Sequence, residues 1–250
     1  MRIINMAPGL SFPAPWQDLI DVLEPGLFLS QGKWSDDGAH VDDAKLIEEL
    51  AGTPPDTHIM LNVEVSEYLY PESRLLDVTR HPVESTQLRQ ALSAVMDDLP
   101  WEYSFYMTLR TVTRAYNKSN DYDARRIAAG QALDEAIEVK DWIGKGLPCV
   151  SAYWIDGTGA DVKVWQWRRW IYVTGKEIAD CRYYAKREPV VVIAPRIGGG
   201  NPATPLIDNE LFTRQLQWLW RQDVTVIFWA SQADTDIPTG QIGSLWWYAQ

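Results

Sequence analysis

The chain is predicted to be an α/β protein folding as one seven-stranded, TIM-like (β/α) barrel covering residues 1–250. Three observations carry this expectation. Short apolar runs alternate with longer amphipathic segments along the whole chain, the pattern of βα units around a parallel sheet. Seven such runs can be read, and no internal repeat, low-complexity tract or linker divides them. The length of 250 residues suits a single α/β barrel and allows a sizeable core without disulfide staples. An open doubly wound sheet is the competing topology. Strand 1 lies close enough to the terminus to close a barrel against strand 7.

The elements follow in order. Strand 1 is Ile3 to Ala7, and a short helix, Trp16 to Leu23, follows Pro15. Strand 2 is Leu27 to Gln31; its loop carries Trp34, Asp36 and Asp37, and Asp42 is placed to cap the helix ending at Leu50. Strand 3 runs from His58 to Glu64, after the turn Gly52-Thr53-Pro54-Pro55-Asp56. Alternation puts Met60, Asn62 and Glu64 on one face and Ile59, Leu61 and Val63 on the other. A long loop, Val65 to Pro82, precedes the helix Glu84 to Leu99. Strand 4 is Glu102 to Leu109, and the helix Asp123 to Ile143 closes on Gly144-Lys145-Gly146. Strand 5 is Pro148 to Ile155 and turns at Asp156-Gly157. An aromatic helix, Asp161 to Lys186, leads to strand 6, Pro189 to Ala194. Packing on the barrel is the expected role of its Trp and Tyr side chains, with a partner surface as the alternative. Helix Asn209 to Gln222 and strand 7, Val224 to Trp229, complete the alternation before the tail 231–250.

Composition excludes several function classes. A formal net charge of -11 and a pI near 4.7 disfavour nucleic acid as a partner, because phosphate binding needs clustered Lys and Arg. They also disfavour an anionic membrane surface, and no apolar run approaches the roughly 18 residues of a membrane span. No signal peptide is read at the N-terminus, so a cytoplasmic or virion-associated location is expected. Cys149 and Cys181 lack metal-ligand spacing and read as buried thiols. His40, His58 and His81 are scattered, each standing alone, so no metal site is expected. The late run Gly198-Gly199-Gly200 lacks the G-x-G-x-x-G spacing and the Walker lysine, and no cofactor is expected. Thirteen Trp and 11 Tyr against 5 Phe tilt the reading towards carbohydrate, since flat amphipathic rings suit sugar-binding clefts. An oligosaccharide or polysaccharide is thus the expected partner.

In a β/α barrel the site is built from the C-terminal strand ends. Those ends offer Asn5, then Gln31 and Trp34, then Asn62 and Glu64, then Tyr106 and Arg110. Strand 5 adds Tyr153 on one face, with Trp154 and Asp156 on the other; strand 6 adds Arg196. Strand 7 adds Trp229 and Ser231, with Gln232 and Asp234 just after. Carboxylates are scarce. A two-carboxylate glycosidase needs a second acid about 5–10 Å from Glu64, and Asp156 is the best candidate, with Asp234 behind it. A glutamate among aromatic rings would have a raised pKa, as a general acid requires.

Read in order, these strand ends resemble the hyaluronidase family of glycoside hydrolases, a seven-stranded β/α barrel. Asn62-Val63-Glu64 matches the family's Asp-x-Glu at the end of strand 3. Tyr153-Trp154 matches its aromatic pair, Pro189-Val190 through Arg196 its sixth strand, and Trp229-Ala230-Ser231 its Trp-Gly-Ser. The resemblance implies that Glu64 is the general acid and that the substrate's 2-acetamido group is the nucleophile. It further implies that Tyr153 orients that group, that Trp229 packs on the sugar at the cleavage point and that Arg196 positions substrate at the rim. Tyr106, Trp154 and Asp156 complete the expected substrate-binding set. Asn62 stands where the family has Asp, so it can accept a hydrogen bond but supplies no charge. The family's paired disulfides have no counterpart, which suits a microbial or viral intracellular product. The alternative to an N-acetylhexosaminidase is a non-catalytic glycan-binding or structural barrel of virion type.

Overall fold

The structure, a computed structural model, describes residues 1–6, 20–37, 39–63, 82–106, 137–153, 162–194, 207 and 209–229. Its seven parallel strands close into a barrel in the order β1-β2-β3-β4-β5-β6-β7, with helices between them. The strands are β1 (Arg2–Asn5), β2 (Val22–Leu29), β3 (His58–Leu61), β4 (Tyr103–Phe105), β5 (Leu147–Ser151), β6 (Val190–Ile193) and β7 (Thr225–Phe228). The described helices are α1 (Asp43–Leu50), α2 (Pro82–Met96), α3 (Val164–Tyr184) and α4 (Asn209–Arg221). Residues 137–142 are also helical. The open doubly wound alternative is therefore replaced by a closed ring. Strands β3 and β6 are buried at every position, as expected of parallel strands covered on both faces.

The chain forms two compact units. One comprises Met1–Gly26, Ser151–Thr174 and Val190–Gln250; the other comprises Leu27–Val150 and Gly175–Pro189. In the first unit, Ile3, Ile4 and Asn5 lie opposite Val226, Ile227 and Phe228. Phe228 packs edge-on against Phe212 of α4, at 5.9 Å between centroids. The face carrying Ile3, Asn5, Val226 and Phe228 thus looks to the helices, and Ile4, Met6, Ile227 and Trp229 occupy the opposite face.

Strand β2 departs from expectation. It begins at Val22, so Val22 and Leu23 are extended rather than the end of a helix. The cause is pairing: Arg2, Ile3 and Ile4 lie beside Val22, Leu23 and Glu24, and Arg2 Nε donates to Glu24 across the pair at 2.9 Å. The remainder of the expected helix, 16–19, lies outside the described residues. Pro25-Gly26 continues the strand, and a Cβ at Gly26 would sit 2.6 Å from Ile4 Cγ2 and 2.7 Å from Met6 Cγ.

In the second unit, Asp42 caps α1 as expected, its carboxylate accepting from Lys45 N at 3.0 Å. Ile59, Met60 and Leu61 lie beside Tyr103, Ser104 and Phe105. Phe105 meets Trp142 edge-on at 5.6 Å, so Ile59, Leu61, Tyr103 and Phe105 face the helices. The alternation expected for β3 is observed: Met60 and Asn62 share the other face. Gly144 closes the helix before β5 with φ +56, the left-handed conformation that glycine adopts without strain. Cys149 and Cys181 are free and buried, and burial pushes the Cys181 thiol up.

The aromatic helix divides its rings. In the first unit, Trp167 stacks on Trp170 at 5.3 Å, and Trp170 meets Trp218 of α4 edge-on at the same distance. Arg214 lies over Trp167, and Trp170 Nε1 donates to Ala152 O at 2.9 Å. Packing therefore accounts for Trp167 and Trp170, whereas Trp165, Tyr172 and Tyr183 are exposed.

Candidate functional site

The C-terminal strand ends were the expected site. In the first unit, Tyr153 stands two residues past β5 and Trp229 one residue past β7. Their centroids are 5.8 Å apart with ring planes at 42°, and both side chains are half-buried. The ladder carries them there: Ala152 N donates to Val192 O at 2.8 Å, and Trp229 N to Ile193 O at 3.0 Å. Met6 N donates to Phe228 O at 2.9 Å, which brings Met6 to the same level and the same face as Trp229. Asn5, expected at the site, points instead to the helix side, because it pairs with Phe228. The structure thus brings Tyr153 and Trp229 together and substitutes Met6 for Asn5.

In the second unit, Asn62 follows β3 directly and is buried; its backbone N–H donates to Leu29 O at 2.9 Å. Tyr106 follows β4, its N–H donating to Leu61 O at 2.8 Å, and its ring meets Phe28 edge-on at 6.1 Å. Phe28 lies one residue inside the end of β2, where a strand-end position gives no signal for it. Gln31 and Trp34 are both fully buried, Gln31 in a short 3-10 turn (Gln31–Lys33) and Trp34 just after it. Glu64, Trp154, Asp156 and Arg196 lie outside the described residues, as do Arg110, Ser231, Gln232 and Asp234. Among the described residues, no group of His, Cys, Asp and Glu is arranged to hold a metal ion. No described helix is long and apolar enough to cross a membrane.

His58 does not stand alone. Its Nδ1 lies 3.1 Å from Glu102 Oε2 and its Nε2 2.9 Å from Ser104 Oγ. The order Ser–His–Glu is that of a hydrolytic triad. Ser104 and His58 are nevertheless fully buried, His58 at the start of β3 and Ser104 in the middle of β4. Bonded to each other with both side chains buried, His58 and Ser104 tie β3 to β4. His58→Ala should lower unfolding free energy by about 1–3 kcal/mol, because it strands the buried Ser104 hydroxyl. Urea denaturation measures this, and a variant as stable as wild type would rule the tie out. His40 is likewise paired, with Asp37, whose exposed carboxyl that hydrogen bond holds well below the usual range.

A second polar cluster sits behind β4. Tyr103 OH donates to Asp97 Oδ1 at 2.6 Å, and Lys145 N donates to the same oxygen at 2.7 Å. Burial first, and then the bond to Asp97, push the Tyr103 phenol well above its ordinary value, so it stays a neutral donor. Both clusters hold the scaffold; the strand-end aromatics remain the described part of the candidate site. Compared with protein-family models, curated proteins and solved structures, the chain matches none.

Proposed function

We propose that the protein is a glycoside hydrolase acting on glycans that contain N-acetylhexosamine. The observation that carries this reading is the Tyr153–Trp229 pair, two aromatic rings in contact at the C-terminal strand ends of a β/α barrel. Such ends are where barrels of this class do chemistry, and such rings suit the apolar face of a pyranose. In this reading the carboxylic acid of Glu64 gives its proton to the glycosidic oxygen as the bond to the anomeric carbon breaks. The carbonyl oxygen of the substrate's 2-acetamido group attacks that carbon. Water then opens the cyclic intermediate, returning a proton to Glu64. Tyr153 orients the acetamido group, Trp229 packs on the sugar, and Arg196, Trp154, Tyr106 and Asp156 contribute binding.

A panel of aryl N-acetylhexosaminides and N-acetylhexosamine polymers tests this. Glu64→Gln should lower kcat by about 10²–10⁴-fold. Asp156→Asn should retain turnover, whereas its loss would favour a two-carboxylate mechanism. Absence of turnover by the wild type, with glycan binding retained, would replace the enzyme by a non-catalytic glycan-binding barrel. One observation favours that second reading: the side chain at position 62 is a buried, uncharged amide, where a carboxylate would help to hold the acetamido group.

A further inference from the structure

Strands β5, β6 and β7 are consecutive in the barrel. Neighbouring strands lie about 4.8 Å apart, so the backbones of β5 and β7 are separated by roughly 10 Å. The ring centroids of Tyr153 and Trp229, borne by these two strands, are only 5.8 Å apart. The rings therefore converge over the end of the strand between them. The residue there is Ala194. Val192 lies beside Ile227 and Ile193 beside Phe228, which sets Ala194 beside Trp229 and on the same face. Ala194 is 2% exposed, already covered with only a methyl group. Any larger side chain would enter the space into which the rings lean.

We propose that Ala194 is a specificity-determining residue: its small side chain sets the spacing of Tyr153 and Trp229 and makes the pair a one-sided platform for a single sugar ring. This rests on the glycan reading above for the identity of the ligand, but not for the spacing. Carbon atoms pack at about 3.5–4.0 Å, so a flat ring held between two others needs about 7–8 Å. At 5.8 Å and 42° the pair leaves no such slot. A pyranose lies against one side of the pair, where Trp229 and Tyr153 act as one continuous apolar surface. A wider residue at 194 would part the rings and break that surface in two.

The test uses the full chain labelled with 5-fluorotryptophan, with the Trp229 fluorine resonance identified by its loss in Trp229→Phe. Ala194→Leu should shift that resonance towards its position in Tyr153→Ala, because the tyrosine ring current is removed; Ala194→Gly should leave it in place. Ala194→Val carries the same test if the leucine variant does not fold. A folded Leu or Val variant with an unmoved resonance overturns the spacing role. The binding arm uses the N-acetylglucosamine trisaccharide, which Ala194→Leu should bind about three- to tenfold more weakly than wild type. Unchanged affinity beside a moved resonance overturns the platform. A moved resonance in a protein that binds no N-acetylhexosamine oligosaccharide overturns the glycan reading and leaves the spacing standing.

Discussion

Phe105→Ala is expected to lower the unfolding free energy by about 3–5 kcal/mol, a large share of the stability of an ordinary domain. Phe105 is fully buried on the helix side of β4. It meets Tyr103 and Trp142 edge-on, each at 5.6 Å, so deletion removes two aromatic pairs as well as the buried ring. The hole cannot close readily. Tyr103 is tied to Asp97, and the Trp142 carbonyl accepts from Ser93 Oγ at 2.6 Å, so both neighbours are held in place. Guanidinium denaturation at constant m-value measures the loss. A change below about 1 kcal/mol would mean that the ring does not sit in the core.

Gly144→Ala should cost about 2–4 kcal/mol, combining left-handed strain with a clash. At φ +56 an L side chain is strained, and its Cβ would stand 2.6 Å from Asp97 Oδ2 and 2.8 Å from the Tyr103 hydroxyl. Asp97 cannot swing aside without releasing Tyr103 and Lys145. Gly52→Ala is the matched control: φ is +85, but nothing lies within 4 Å of the added carbon. It should cost about 1–2 kcal/mol from strain alone. Equal losses in the two variants would show that the Asp97 cluster yields freely.

Much of the fold was legible because hydrophobic periodicity is a local signal. Six of the seven strands fall on the apolar runs and β2 overlaps its run only at Leu27–Leu29, while Asp42 and Gly144 punctuate their helices as their chemistry requires. What failed depended on partners distant in sequence. Pro25-Gly26 lies before the run read as strand 2, yet β1 pairs with Pro25, and the missing Cβ of Gly26 lets Ile4 and Met6 come close. His58 reads as isolated because Ser104 is 46 residues away; only the register of β3 against β4 joins them. Asn5 was assigned to the site by its position at a strand end, whereas side-chain alternation sends it to the helix side. Trp34 stands in a loop with Asp36 and Asp37, and its complete burial is tertiary. Of the site, the approach of Tyr153 to Trp229 was anticipated in kind. Its closeness was not, because that depends on the size of the residue on the intervening strand.

The backbone bonds that carry those two rings bear on the thermodynamics of any ligand. Trp229 N–H is held by Ile193 O, Phe228 O holds Met6 N–H, and Ala152 N–H, next to Tyr153, is held by Val192 O. The rings are thus rooted in a sheet that is already ordered. A ligand laid on a loop must first quench the loop's motion, at about 0.5–1.5 kcal/mol for each side chain immobilised. Here the backbone's share of that entropy was lost when the barrel closed, which leaves the two ring side chains and the ligand to be ordered on binding.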